Sequence, residues 1–220
     1  MSSVAPLQRT PLFSNHIAAN GRMVPFAGWE MPVQYEGVLS ETKAVRTNVG
    51  MFDVSHMGRL YIEGTGSGEF LEHVLTFAVT NLNPGRARYG FVLTEEGGVI
   101  DDTVVYQQSP EDGSGERYLM ICNAANRPAI VDWLNEHMGD YPGVTMTDFT
   151  TESVMIAVQG PAAAAIADSL CDSLTLSPPS SVEELEANAA FTIDEALSAV
   201  NLCGGDTAGC ASEILSQLLP

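Results

Sequence analysis

The second half of the sequence has no basic residues. All nine Lys and Arg residues lie in residues 1–127 with fourteen of the 28 acidic residues, so residues 128–220 hold the other fourteen acids and no cation. The net charge of the chain is -19. Because attraction to phosphate requires clustered cations, this composition disfavours binding to nucleic acids and to anionic membrane surfaces.

Long hydrophobic runs and cysteine motifs are also missing. No apolar segment approaches the roughly 20 residues that span a bilayer, and the N-terminus lacks the apolar core of a signal peptide. The four cysteines form no CxxC pair and have no matching histidine spacing, which disfavours a zinc site and a disulfide framework. We therefore expect a soluble, cytoplasmic protein (mitochondrial if eukaryotic) with reduced thiols and no metal site.

Residues 1–170 show the dense alternation of short apolar segments that is typical of a mixed helix and strand domain. Helices are expected to start at Ser67, Asn126 and Pro161, where capping or first-turn residues precede apolar stripes. A hairpin is expected around the glycine-rich loop 95–98. Alternation or apolar runs predict strands at residues 59–63, 89–94, 99–106, 117–122 and 153–158.

Residues 171–220 differ in composition from the preceding part. A Ser/Pro-rich linker at 177–181 is followed by short acidic helical patterns at 182–186, 193–202 and 211–219. This segment has too few large apolar residues to build a core of its own. We predict a domain at 1–170 and an acidic extension at 171–220 that is short-helical or poorly ordered.

Two adjacent carboxylates, Asp101 and Asp102, interrupt the otherwise apolar strand predicted at 99–106. Because side chains alternate along a strand, Asp102 should share a face with Val104 and Tyr106, while Asp101 points to the other face. Burying an unpaired carboxylate is costly, so a fold accepts one only where something offsets the cost. The strand alone leaves two interpretations open: a functional carboxylate, or an Asp pair at a hydrated hairpin edge.

Six motifs between residues 10 and 170 occur in an order that resembles one family, the glycine cleavage system T-protein (aminomethyltransferase) family. They are Thr10-Pro-Leu-Phe13, Phe26-Ala-Gly-Trp-Glu-Met-Pro32, Gly50-Met-Phe-Asp-Val-Ser-His-Met-Gly58, Gly97-Gly-Val-Ile-Asp-Asp102, Asn123-Ala-Ala-Asn126 and Gln159-Gly-Pro161. The resemblance covers only the N-terminal part of the family. Its later Arg-Thr-Gly-Tyr-Thr-Gly-Glu motif and arginines have no counterpart in residues 171–220.

The resemblance implies an α+β, folate-binding GcvT-type fold with mixed or antiparallel sheets and packed helices, incomplete at the C-terminus. It also implies an aminomethyltransferase, which transfers a one-carbon unit from an aminomethyl-lipoyl carrier protein to tetrahydrofolate and releases ammonia. Tetrahydrofolate would then be a co-substrate, and the lipoylated carrier (H-protein) would be the partner. Neither nucleic acid nor membrane is expected as a partner.

The same resemblance assigns roles to particular residues. Asp102 corresponds to the family's essential catalytic carboxylate beside the pterin, and Met57 and Tyr89 correspond to residues that line the folate pocket. Taken singly, Met57 and Tyr89 would be interpreted as ordinary core residues. The neighbouring positions that the motifs place in the pocket wall are Val104, Tyr106 and Asn123.

Three other functions remain compatible with the sequence. One is a non-catalytic or truncated folate-binding protein that keeps half of the pocket. Another is a different folate-dependent one-carbon transferase on the same fold, such as a demethylase. The third is the related iron–sulfur maintenance protein, which the lack of a Lys-Gly-Cys-Tyr motif disfavours.

Overall fold

The computed structural model describes residues 6–110 and 115–170, which fall into two compact units. One unit comprises residues 6–56 and 151–170, and the other comprises 57–110 and 115–150. The predicted linker and acidic extension at 171–220 lie outside the described residues. Among the described helices, none combines the length and the hydropathy needed to cross a membrane.

Short helices and short antiparallel strands alternate along the described chain. In chain order they are α1 (Phe13–Ala18), β1 (Met23–Phe26), β2 (Trp29–Pro32), α2 (Val38–Thr47), β3 (Gly50–Asp53), β4 (Gly58–Gly64), α3 (Ser67–Val74), β5 (Ala87–Leu93), β6 (Val99–Gln108), β7 (Arg117–Cys122), α4 (Arg127–His137), β8 (Val144–Asp148), β9 (Ile156–Gln159) and α5 (Ala163–Leu170). Single 3-10 turns at Met138–Asp140 and Thr150–Glu152 flank β8.

The first unit is built from two small antiparallel pairs. Strands β1 and β2 form a hairpin, and β3 pairs with β9 although about a hundred residues separate them. Trp29 and Met31 point inward from β2, while Leu12 and Val154 form a second buried contact against which Ile156 packs. Its α2 helix contains no buried residue.

The second unit is a five-stranded antiparallel sheet in the order β5-β6-β7-β4-β8. Helices α3 and α4 contribute to its single core through apolar side chains three and four positions apart, such as Phe70 and Val74 on α3. The strands contribute alternate residues, such as Leu60, Val105 and Met120, because a strand presents every second side chain to the same face.

The hairpin β5–β6, at one edge of the sheet, has the loop that the sequence predicts. The backbone N–H of Thr94 donates to the carbonyl of Gly98 at 2.8 Å, and Gly97 turns the chain with a φ of +83°. Gly90 on β5 lies against the ring of Phe77, where an added Cβ would come within 2.1 Å of a ring carbon. Phe91 pairs with Asp102 in this hairpin, and the register shifts between Val92 and Leu93.

Several local expectations need correction. The strand predicted at 153–158 begins only at Ile156, because the Met155 backbone N–H donates to the Ser55 hydroxyl at 3.0 Å instead of to a strand partner. Helix α3 does begin at Ser67, but Gly66 occupies the cap position and the Ser67 hydroxyl donates to the Gly64 carbonyl. The elements α1, β1, β2, α2, β3 and β8 were not predicted.

Candidate functional site

Asp102 lies on β6 directly opposite Phe91 on β5. On its other side, β6 pairs with β7 so that Thr103 faces Cys122, the last residue of β7. Asn123 follows immediately, which brings its amide beside the Asp pair. The site is therefore assembled by strand pairing between segments about twenty residues apart in sequence.

Met57 reaches the same end of the sheet from the next strand. It directly precedes Gly58, the first residue of β4, which pairs with Cys122 at the end of β7. Its side chain is half-buried, and its carbonyl accepts a hydrogen bond from Nη1 of the buried Arg59 at 2.7 Å. Arg59 thus fixes the backbone of Met57 at the start of the strand.

The two carboxylates have different environments, as the strand alternation predicts. Asp101 is 3% exposed, whereas Asp102 is exposed. Asp101 accepts the Asn123 backbone N–H at 2.8 Å, the Asn123 Nδ2 at 2.9 Å and the Asn126 Nδ2 at 2.6 Å. Three N–H donors offset the cost of burying its charge.

Asp102 is held by one donor on each oxygen. Asn123 donates from Nδ2 to Oδ1 at 2.8 Å, and the Tyr89 hydroxyl donates to Oδ2 at 3.2 Å. Partial desolvation and the charge of Asp102 raise the pKa of Tyr89, so the phenol keeps its proton and remains a donor at neutral pH. The Tyr89 ring is 58% exposed and meets Phe91 edge-on at 5.7 Å.

The remaining predicted wall residues follow Asp102 along β6. Val104 is half-buried and pairs with Tyr89. Tyr106, two positions further on, is only 2% exposed. The structure therefore brings Asp102, Tyr89 and Asn123 into direct hydrogen-bond contact and places Val104 beside them, while Tyr106 is buried.

The sequence did not reveal the part that Asn126 plays. It stands at the cap position of α4, as expected, but its side chain makes no capping hydrogen bond and donates to Asp101 instead. The sequence feature that could have indicated this contact is the spacing of Asn123 and Asn126, which places two side-chain amides one turn apart. Neighbouring Cys122 offers no reactive thiol, because burial and the charge of Asp101 raise its pKa to about 12.

This arrangement presents an exposed carboxylate with fixed orientation beside the exposed rings of Tyr89 and Phe91. Each Asp102 oxygen uses one acceptor position within the protein and can accept a further N–H from a ligand. A fixed anion of this kind can also stabilise positive charge that develops beside it. Within residues 6–110 and 115–170, no group of three His, Cys, Asp or Glu side chains could hold a metal ion.

The fold is that of a solved aminomethyltransferase structure. The glycine cleavage system aminomethyltransferase T from Bartonella henselae matches with a TM-score of 0.70 at 30% identity, covering 77% of this chain and 46% of that chain. The chain belongs to the GCVT N-terminal domain family, which matches residues 12–190. The resemblance of the motifs and the α+β fold class are thereby confirmed.

Relatives named aminomethyltransferase agree with this assignment. The protein from Geobacillus kaustophilus is 42% identical over 167 residues, which cover 76% of this chain and 44% of the relative. The protein from Deinococcus deserti is 44% identical over 161 residues, covering 73% of this chain and 43% of the relative. The chain thus matches less than half the length of these relatives. The family match reaches residue 190, whereas the motifs recognised in the sequence end near residue 170.

Proposed function

We propose that this chain acts in aminomethyl transfer, moving a one-carbon unit from the aminomethyl-lipoyl arm of a carrier protein to tetrahydrofolate with release of ammonia. The observation that carries the proposal is the exposed Asp102 carboxylate, held by Asn123 and Tyr89, in a chain of the GCVT N-terminal domain family. The carrier would be the lipoylated H-protein of the glycine cleavage system.

Asp102 would act as the catalytic carboxylate beside the pterin. A pterin carries several N–H donors, and an acceptor fixed at the end of an apolar wall can orient such a ring. As the carbon–nitrogen bond to the departing amine weakens, positive charge develops on the carbon, and the adjacent carboxylate would stabilise it. Two nitrogens of tetrahydrofolate bond to the carbon, and the carbon–sulfur bond to the lipoyl arm breaks as well. The two protons that these nitrogens lose leave with ammonia and with the lipoyl thiol.

The other predicted residues would form the wall of the folate pocket. Tyr89 and Asn123 would hold Asp102 and contact the ring, while Met57 and Val104 would supply apolar surface. Tyr106, which is buried, would support the wall from behind. The anionic tail of folate has fewer obvious partners, because Arg127 and Arg117 already pair with Asp148 and Glu63.

The experiment compares Asp102→Asn with Asp132→Asn. Asp132 is an exposed residue on α4, so its substitution removes the same charge away from the proposed site. The assay is formation of methylenetetrahydrofolate from aminomethylated carrier protein, with calorimetric titration of tetrahydrofolate alongside. We expect Asp102→Asn to lower transfer about a hundredfold to a thousandfold, the effect of removing one preorganised group from a charged transition state. Equal transfer by both variants would refute the catalytic role of Asp102.

A second candidate function is folate binding without complete catalysis. It would use the same Asp102 carboxylate, since each of its oxygens keeps an acceptor position for an N–H of a ligand. The same titration separates the two candidates. Saturable tetrahydrofolate binding without transfer would favour the binding protein, and transfer would exclude it. Another folate-dependent transferase, such as a demethylase, would show transfer with a different one-carbon donor.

A further inference from the structure

Asp101 is the most deeply buried carboxylate of the second unit's site, and the proposed reaction does not use it. Its two oxygens accept three N–H groups, all from the turn that follows β7. No salt bridge to Asp101 occurs among the described residues. A buried anion that is held by amides alone fixes the orientation of those amides, because each must direct an N–H toward it.

The orientation of the Asn123 side-chain amide matters for Asp102. Its Nδ2 lies 2.9 Å from Oδ1 of Asp101 and 2.8 Å from Oδ1 of Asp102, so its two N–H bonds are divided between the two carboxylates. In the flipped orientation the amide oxygen would face two carboxylate oxygens, with which it can form no hydrogen bond. Asp101 therefore helps to keep an N–H directed at Asp102.

Asn126 contributes to the same arrangement from one turn further along the chain. Its backbone N–H donates to the Asn123 carbonyl at 3.1 Å, and its side chain reaches back to Asp101 at 2.6 Å. An asparagine at this position would ordinarily cap the helix, so α4 begins without a side-chain cap. In place of a helix cap, the residues of this turn donate hydrogen bonds to the buried carboxylate of Asp101.

We propose that Asp101 is a positioning residue for Asp102, acting through Asn123, and that Asn126 supports it. The inference rests on the proposed function, since it concerns how the carboxylate of that reaction is oriented. Asn126 holds Asp101, which holds the side-chain amide of Asn123, and that amide holds Oδ1 of Asp102. The second oxygen, which receives the weaker hydrogen bond from Tyr89, is then directed consistently toward the ligand.

The central variant is Asp101→Asn, and its matched control is Thr103→Val. In Asp101→Asn, an NH₂ group replaces one of the two oxygens that accept hydrogen bonds. This NH₂ must then face an N–H group of the turn 123–126, or the side-chain amide of Asn123 must flip. Thr103 is 2% exposed, lies on the same face of β6 as Asp101, and makes its own buried hydrogen bond to the Ile121 carbonyl at 2.7 Å. Thr103→Val thus removes a buried hydrogen bond from the same strand without touching Asn123.

We expect Asp101→Asn to lower kcat for aminomethyl transfer about tenfold to hundredfold, by analogy with residues that orient a metal ligand through a hydrogen bond. Asn126→Ala should lower it severalfold. Thr103→Val should stay within about twofold of the parent even if it is equally destabilised. Full transfer by Asp101→Asn, or an equal loss in Thr103→Val, would overturn the positioning role.

A second measurement does not depend on activity. The side-chain NH₂ of Asn123 should give two distinct, exchange-protected signals in ¹H–¹⁵N spectra of the parent chain, because both N–H bonds are engaged. These signals should shift and lose protection in Asp101→Asn and stay unchanged in Thr103→Val. If the parent chain shows no transfer, the proposed function fails, but unchanged Asn123 signals in Asp101→Asn would still overturn the positioning inference separately.

Discussion

Among the described residues, each unit contains an aspartate whose side chain is buried and accepts several hydrogen bonds, and the two differ in what surrounds them. In the first unit, Asp53 accepts hydrogen bonds from the Thr10 hydroxyl at 2.6 Å, from His16 Nε2 at 2.8 Å and from the Ser55 backbone N–H at 2.9 Å. In the second unit, Asp101 accepts only amide N–H groups from the turn 123–126.

Two of the donors to Asp53, Thr10 and His16, come from about forty residues earlier in the chain, and the third, Ser55, is two residues away. Thr10 lies just before α1, His16 lies within it, and Ser55 follows β3. Tyr35 adds a further hydrogen bond from its hydroxyl to His16 Nδ1 at 2.8 Å. No second carboxylate adjoins Asp53 in sequence. Asp101, by contrast, shares a donor with an exposed neighbour that has acceptor capacity left. The comparison indicates a carboxylate that stabilises the fold in one unit and a carboxylate pair suited to a ligand in the other.

Substitution of Asp53 and of the proposed catalytic residue Asp102 should separate stability from function. The largest effect on stability is expected at Asp53. We expect Asp53→Asn to lower the free energy of unfolding by about 3 kcal/mol, because charge-assisted hydrogen bonds to a buried carboxylate are lost. Asp102→Asn should change it by no more than about 0.5 kcal/mol, since that side chain is exposed.

The two tryptophans allow each unit to be followed in the same denaturant titration. Trp29 lies in the first unit and Trp133 in the second, so Trp133→Phe leaves fluorescence that reports on the first unit and Trp29→Phe leaves fluorescence that reports on the second. If Asp102→Asn destabilised its unit as strongly as Asp53→Asn destabilises the other, the division into structural and functional carboxylates would be wrong.

Acid should weaken the first unit through Asp53. Burial raises the pKa of this carboxyl group, but hydrogen bonds from His16, Ser55 and Thr10 outweigh it and hold the pKa below the ordinary value of 3.8. A pKa that is lower in the folded state stabilises the fold above the unfolded pKa, and that stabilisation is lost as the pH falls through the folded pKa.

The unfolding free energy of the first unit should therefore fall between pH 5 and pH 2, and part of this fall should be absent in Asp53→Asn. The pH range is about that over which a salt-bridged aspartate loses its contribution. Asp148 is the corresponding carboxyl group in the second unit. Burial raises its pKa, but hydrogen bonds from Thr150 and Arg127 outweigh burial, so its pKa is lowered in the same direction as that of Asp53. Identical pH profiles for the parent and Asp53→Asn would contradict the structural role of Asp53.

Local sequence patterns were sufficient for the elements that bury a regular stripe or alternate strictly. Helix α3, strand β7 and the hairpin β5–β6 fall close to their predicted positions because their periodicity and turn residues agree. Strands β1 and β2 escaped prediction because they are four residues long and contain Pro25 and Pro32, which oppose a strand assignment. Their pairing depends on tertiary context that the sequence pattern does not contain.

The candidate site shows the same division between local and long-range information. Alternation along one strand was enough to predict that Asp101 and Asp102 face different environments. It could not identify the donors to Asp101, because β6–β7 pairing brings Asn123 and Asn126 to it from more than twenty residues away. Asn126 was interpreted as a helix cap on local grounds, and the nearby buried carboxylate competes successfully for its amide.

The smallest expected effects sharpen the comparison by changing a single hydroxyl in each unit. Tyr35→Phe removes the hydrogen bond to His16 and keeps the ring, so the first unit should lose about 1 kcal/mol of unfolding free energy. Burial and the charge of Asp53 raise the pKa of Tyr35 to about 12, so its hydroxyl remains a donor throughout the neutral range. Tyr89→Phe removes the hydrogen bond to Asp102 from a ring that is 58% exposed, so the second unit should keep its stability.

Tyr89→Phe should act instead on ligand binding, weakening tetrahydrofolate affinity severalfold, because one oxygen of Asp102 loses its fixed orientation. Denaturant titration of both variants and calorimetry with tetrahydrofolate make the measurement, and each variant serves as the control for the other. The expected result is a crossed pattern, in which Tyr35→Phe changes stability but not affinity and Tyr89→Phe changes affinity but not stability. A change in both properties for either variant would mean that the two carboxylate groups are not functionally separate, because a hydroxyl that stabilises the fold would then also set the ligand site.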